Sequence, residues 1–230
     1  MSLKLGNRRD IIRWAIWSVI TILFLVFLIR VITFENSYYA EKEGSERAVV
    51  EDQKQEEEEE LVETPPTETE VYEYVVAPDQ PRYLTIERLG IQNARILVMG
   101  VNEKGELDTP RNIFDVGWYE SSGKPGQGGT MMIDGHNGGP HVHGVFKDLP
   151  SLVIGDVIKV ERGDGVVFNY KVAENKTVSL ADSNTYMLEA TKSPEKGKES
   201  ITLITCTGEW SDQQQTYLSR QFTRAVLIEN

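Results

Sequence analysis

The sequence predicts an all-β protein, a compact closed β-barrel with short helices, preceded by one N-terminal transmembrane helix and an acidic linker. Three observations carry that expectation. Short β-rich runs separated by turn signals recur from about residue 75 to the end, the stretch Trp14 to Ile29 carries no charge, and acidic residues crowd between these two regions. Many short strands at close spacing favour a barrel or sandwich over a parallel sheet wound with crossover helices.

Residues 1–35 read as a basic tail and a membrane anchor. With the flanking Ile11, Ile12 and Val31 to Phe34 added, the apolar stretch reaches the roughly 20 residues that a helix needs to cross a bilayer. Arg13 and Arg30 bracket it, and Trp14 and Trp17 suit the interfacial belt. A cleaved signal peptide would need a shorter apolar core and a small-x-small site, but Tyr38 stands where a small residue should precede Ala40. Lys4, Arg8, Arg9 and Arg13 lie before the span. By the positive-inside rule they place the N-terminus in the cytoplasm and the rest of the chain outside the cell.

Residues 36–74 read as an acidic, flexible linker. From Glu41 to Glu73 there are 14 acids against Lys42, Arg47 and Lys54, so this segment accounts for most of the chain's net charge of −12. A glutamate run with Pro65-Pro66 and little apolar content describes a solvated, self-repelling spacer. No basic patch with interleaved aromatics occurs, which disfavours nucleic acid as a partner.

Residues 75–230 form the expected barrel. Its strand candidates are "RYLTIERL", "ARILVMGV", "GTMMID", "DVIKVER", "VVFNYKVA", "SITLITC" and "RAVLIE". Turn signals at Asn102 to Gly105, Gly123 to Gly129, Gly138 to Pro140 and Gly163 to Gly165 divide them. Short helices are expected around Phe146 to Leu149 and around Ser183 to Ala190. The polar stretch "SDQQQTYLS" reads as a loop before Arg220.

The reactive side chains are few. Cys206 is the only cysteine, and the three histidines, His136, His141 and His143, all fall in "DGHNGGPHVHG". Cysteine and histidine distant in sequence can be brought together as nucleophile and proton carrier. Arg224 opens the terminal apolar run, where a guanidinium fixed by packing can support a thiolate or hold an oxyanion. Zinc held by His136, His141, His143 and Cys206 is chemically open, but H-x4-H-x-H is a weak metal signature.

Taken in order, these segments resemble the sortases. "TLITC" is similar to the family's TLxTC motif, "GTMMIDGHNGG" with the later "VFKDL" to its Gly-His segment, and "RAVLIE" to its terminal Arg-bearing strand. "VGWYESSGKPGQGG" resembles the Gly-Trp-Tyr and Pro-Gly stretch that precedes the histidine in several sortase classes. The likeness runs from about Tyr83 to the C-terminus; it departs at Asp134, where a small or apolar residue is expected, and in the extra histidines.

The resemblance implies a sortase-type barrel and a cysteine transpeptidase, with His136, Cys206 and Arg224 as catalytic residues. Cys206 would attack a sorting-signal peptide similar to Leu-Pro-x-Thr-Gly on a secreted protein, and His136 would carry the proton. Arg224 would steady the oxyanion, and an amine of the cell envelope or of a pilin would take the acyl group. No cofactor and no metal is implied. Two other readings are a cysteine peptidase with water as acceptor and a non-catalytic anchored β-domain that binds an extracellular partner.

Overall fold

The computed structural model describes residues 61–101 and 108–228. The expected membrane span and the glutamate run lie outside the described residues. Eight strands close into a barrel: β1 (Pro81–Ile86), β2 (Ile91–Met99), β3 (Val116–Tyr119), β4 (Thr130–Gly135), β5 (Val157–Arg162), β6 (Val167–Ser179), β7 (Ser200–Ser211) and β8 (Thr216–Leu227). Their order around the barrel is β1-β2-β3-β4-β7-β8-β6-β5, and β5 returns antiparallel to β1. Two neighbouring pairs, β2 with β3 and β4 with β7, run parallel.

Alternation along the strands divides two apolar layers. On β7, Ile201 and Leu203 join the barrel core with Leu84, Ile96, Trp118, Ile133 and Tyr170, all buried. The following Ile204 points to the other face, where it packs with Met132, Val178, Phe222 and Ala190. Ala190 belongs to α2 (Leu180–Ala190), whose Tyr186 and Met187 pack on that layer. Full burial of side chains of this size contributes about 1.5–3 kcal/mol each. The second layer therefore holds the helix against the outer face of β6 and β8.

Several boundaries differ from the sequence expectation, each for a physical reason. The short β3 was not predicted; it gains its place by parallel pairing of Val116 to Tyr119 with Ile96 to Met99. Strand β8 was expected to open at Arg224 but begins at Thr216, and "SDQQQTYLS" is mostly hairpin, with Trp210 paired to Tyr217 and Ser211 to Thr216. The helix α2 starts earlier than expected because Ser179 caps it, its Oγ accepting from the Asp182 amide at 3.2 Å. Near Phe146 to Leu149 the chain makes turns and then a 3₁₀ segment, Leu149–Ser151.

The end of the expected linker is packed on the barrel. The compact unit begins at Leu61. The amide of Val62 donates to the Arg111 carbonyl, and the Ile113 amide donates to the Val62 carbonyl. Helix α1 (Glu68–Tyr72) follows, its Thr67 and Glu70 closing a capping box. Tyr74 then donates its hydroxyl to the Ile96 carbonyl at 2.5 Å. Residues 61–74 are exposed or half-buried, and these caps and backbone pairs place them against the barrel.

Candidate active site

Three side chains come into one row because of register. Ile204 on β7 pairs with Asp134 on β4, so two residues further on His136 comes alongside Cys206. Across the other edge of β7, Cys206 pairs with Arg220 of β8. All three line a cleft of about 1080 Å³ between the outer barrel face and α2. Its apolar wall includes Met132, Ile204, Phe222, Leu180 and Met187, and Trp210 and Tyr217 stand at the β7–β8 hairpin.

His136 is held at its backbone and at its ring. The Phe146 amide donates to the His136 carbonyl at 3.0 Å, and Thr205 Oγ1 donates to the Gly135 carbonyl at 2.7 Å. Gly135 has to be glycine, since a Cβ there would lie 2.7 Å from the Phe146 ring. His136 Nε2 lies 2.8 Å from the Pro110 carbonyl oxygen, which can only accept, so Nε2 carries the hydrogen and Nδ1 of the neutral ring is left with its lone pair.

The electrostatics favour a neutral resting pair. Burial raises the Cys206 thiol above its ordinary value; the Arg220 cation opposes this and the Asp134 carboxylate adds to it. Burial lowers the His136 imidazole, against a smaller upward contribution from its hydrogen bond to Pro110. Both changes disfavour ions, so thiol and neutral imidazole predominate at neutral pH. Alkylation of Cys206 is accordingly expected to accelerate only above about pH 9, the thiol's ordinary value. Arg220→Ala, which removes the one cation that lowers that value, should move the onset higher still. An onset below pH 8 in the rate of iodoacetamide labelling would contradict this ordering.

The structure does not bring Arg224 into the cleft. Arg224 pairs with Thr202, four residues back along β7 from Cys206, and is only 4% exposed. Its guanidinium is bonded to Glu174 and donates to the carbonyls of Glu189 and Lys192 at 3.2 and 2.8 Å. Arg220, by contrast, donates to the carbonyls of Tyr217 and Ser219 and to Thr216 Oγ1 at 2.9, 3.1 and 3.2 Å. No carboxylate among the described residues pairs with it. Its charge remains available to a ligand in the cleft.

His141 and His143 belong to the turn after the site. Gly138 bridges to His143, and the amides of His141 and Val142 donate to Glu63 Oε1 at 2.8 and 3.1 Å. Neither histidine lines the cleft. Among the described residues no group of three or more His, Cys, Asp or Glu could hold a metal ion.

Sequence reasoning weighed Arg220 and preferred Arg224, because it read a loop before Arg220 where there is a hairpin. The signal was present in "TCTGEWSDQQQTYLSRQF". Once Ser211 faces Thr216, counting back through a one-residue shift near Gly208, which has φ +86, sets position 220 opposite 206.

A thiol, an imidazole and an unpaired guanidinium on three adjoining strands of a closed barrel define a cysteine-centred acyl-transfer type of site. The family model for the sortase domain matches residues 84–228, and the chain belongs to the sortase family, whose members are cysteine transpeptidases. A comparison with curated proteins finds no match.

Solved structures with a similar fold include a Clostridium perfringens sortase D5 transpeptidase, at 22% identity and a TM-score of 0.46 over 71% of this chain and 90% of that one. Streptococcus pneumoniae sortase C matches at 21% identity and 0.48 over 73% of this chain and 76% of its own. A lid mutant of Streptococcus agalactiae sortase C1 matches at 21% and 0.48 over 68% and 73%. The family assignment rests on the domain match and not on these scores.

Proposed function

We propose that this sortase-family protein is a membrane-anchored cysteine transpeptidase that cleaves a Leu-Pro-x-Thr-Gly-like sorting signal on secreted proteins. The acyl group then passes to an amine of the cell envelope or of a pilin. The observation that carries the reading is the row His136, Cys206, Arg220 along one cleft.

In this mechanism Sγ of Cys206 attacks the scissile carbonyl while its proton passes to the imidazole of His136. The tetrahedral oxyanion is held by Arg220, which takes the role that the sequence suggested for Arg224. Collapse breaks the C–N bond, and the imidazolium gives its proton to the departing amine. The thioester keeps the acyl group activated, so an entering amine, deprotonated by His136, restores an amide and frees the thiol. The apolar wall of the cleft suits a signal whose leading residues are apolar.

The direct test is to incubate the folded domain with a panel of sorting-type peptides and look for a covalent adduct by mass spectrometry. The expected mass is that of protein plus the N-terminal part of the peptide, and added amine should convert the adduct into ligated peptide. A panel that leaves Cys206 unmodified, while iodoacetamide still labels it, would sink the reading. Topology is tested separately. Protease added to intact cells is expected to remove the domain, since the basic flank Lys4, Arg8, Arg9 and Arg13 favours an external C-terminal region. Complete protection would overturn the anchor.

A further inference from the structure

Behind His136 runs a short relay that the mechanism above does not use. The Pro110 carbonyl that receives the imidazole Nε2–H belongs to the segment 108–115 that leads into β3. Its neighbour Thr109 donates its hydroxyl to Asp134 Oδ2 at 2.8 Å. Asp134 lies on β4 two residues before His136, and both line the same cleft. On β3 the residue paired with Asp134 is Gly117, and a Cβ there would collide with Asp134 Oδ1 and Met99 Cγ and lie 3.0 Å from the Pro110 ring. The missing side chain leaves the room in which carboxyl and proline ring lie side by side.

We propose that Asp134 is a positioning residue for the imidazole of His136, acting through the Thr109 hydroxyl and the Pro110 carbonyl; this rests on the transpeptidase reading for its catalytic consequence. Pro110 has no amide hydrogen to donate; after it the Arg111 carbonyl accepts from the Val62 amide at 2.9 Å, and before it the Thr109 amide donates only to the neighbouring Asp108 Oδ1 at 3.1 Å, so Asp134 is the contact that ties the Thr109 side chain to the barrel. Anchoring Thr109 fixes where the Pro110 carbonyl points. That carbonyl in turn selects the Nε2–H tautomer and leaves Nδ1 to carry the proton of the reaction.

The position of Asp134 is otherwise hard to justify. Burial pushes its carboxyl up to about 7, against the opposing hydrogen bond from Thr109. When it does ionise, its charge raises the thiol of Cys206 and so works against the nucleophile. An apolar residue would avoid both costs, whereas only an acceptor can hold the Thr109 hydroxyl.

The test pairs kinetics with the nuclear magnetic resonance of histidine labelled with ¹⁵N. Wild type is expected to show His136 as the neutral Nε2–H tautomer. Asp134→Ala and Thr109→Val should each replace this by a tautomer mixture and lower kcat about 10- to 100-fold, the scale of a misplaced catalytic group, with KM changed less than about twofold. Asp134→Asn, whose amide oxygen can still accept from Thr109, should recover the tautomer and most of the lost kcat. Should Asp134→Ala fail to fold, Thr109→Val alone carries the test. An unchanged tautomer in Thr109→Val, or an Asp134→Asn protein as impaired as Asp134→Ala, would overturn the proposal. The resonance reads the relay even if no peptide is turned over, so failure of the transpeptidase reading and failure of the relay give different results.

Discussion

Cys206→Ala is expected to abolish formation of the acyl-enzyme, leaving peptide cleavage at the uncatalysed background. The chain has no second cysteine to take over, and neither serine nor threonine is a register partner in its place between His136 and Arg220. The fold should survive. The thiol is only partly buried, and losing one such heavy atom costs about 1 kcal/mol, the lower range for small core truncations. The check is a pair of measurements on the same sample: the adduct mass after incubation with peptide, and the thermal unfolding midpoint. A variant that still accumulates a covalent intermediate would remove Cys206 from the mechanism and the transpeptidase reading with it.

What the sequence disclosed, and what it hid, follows from where polar residues fall. Runs such as "SITLITC" declare themselves because Ile201 and Leu203 face the barrel core while Ile204 packs the outer layer, and nothing interrupts the β-branched pattern. The short β3 could not declare itself: Gly117 interrupts a run of only four residues, too short to show a period, and its place depends on parallel pairing to β2. The front half of β8 was obscured for a different reason. Thr216, Arg220 and Gln221 look like a loop because they line a cleft or satisfy buried partners; Gln221 is only 2% exposed and donates to Asn175 Oδ1 at 2.6 Å. Cys206 stood out as the one thiol, whereas His136 was set apart from His141 and His143 only by the likeness of "GTMMIDGHNGG" to the family's Gly-His segment. The relay through Thr109 was not, because it joins residues 25 apart through a contact that requires Gly117.

The two arginines give the sharpest division between catalysis and structure. Arg220 faces Cys206 in the ladder, has no carboxylate partner among the described residues and lines the cleft. Arg224 shares its face of β8, but there α2 closes over the sheet, and Glu174 with the carbonyls of Glu189 and Lys192 engages its two terminal nitrogens. Arg220→Ala is therefore expected to lower kcat by about 10²- to 10³-fold, the usual loss for an oxyanion donor, with little change in the urea midpoint. Arg224→Ala should do the converse. It breaks a pair whose arginine is 4% exposed, which typically costs about 3–5 kcal/mol, and the lower end applies because the Glu174 side chain, 33% exposed, can recover water. Its remaining folded fraction should turn over peptide within a few-fold of wild type. Urea unfolding and single-turnover kinetics on both variants decide the matter. If Arg224→Ala kept its stability and lost turnover while Arg220→Ala did neither, the oxyanion role would return to Arg224, and α2 would have to move away from β8 during catalysis to let its guanidinium reach the cleft.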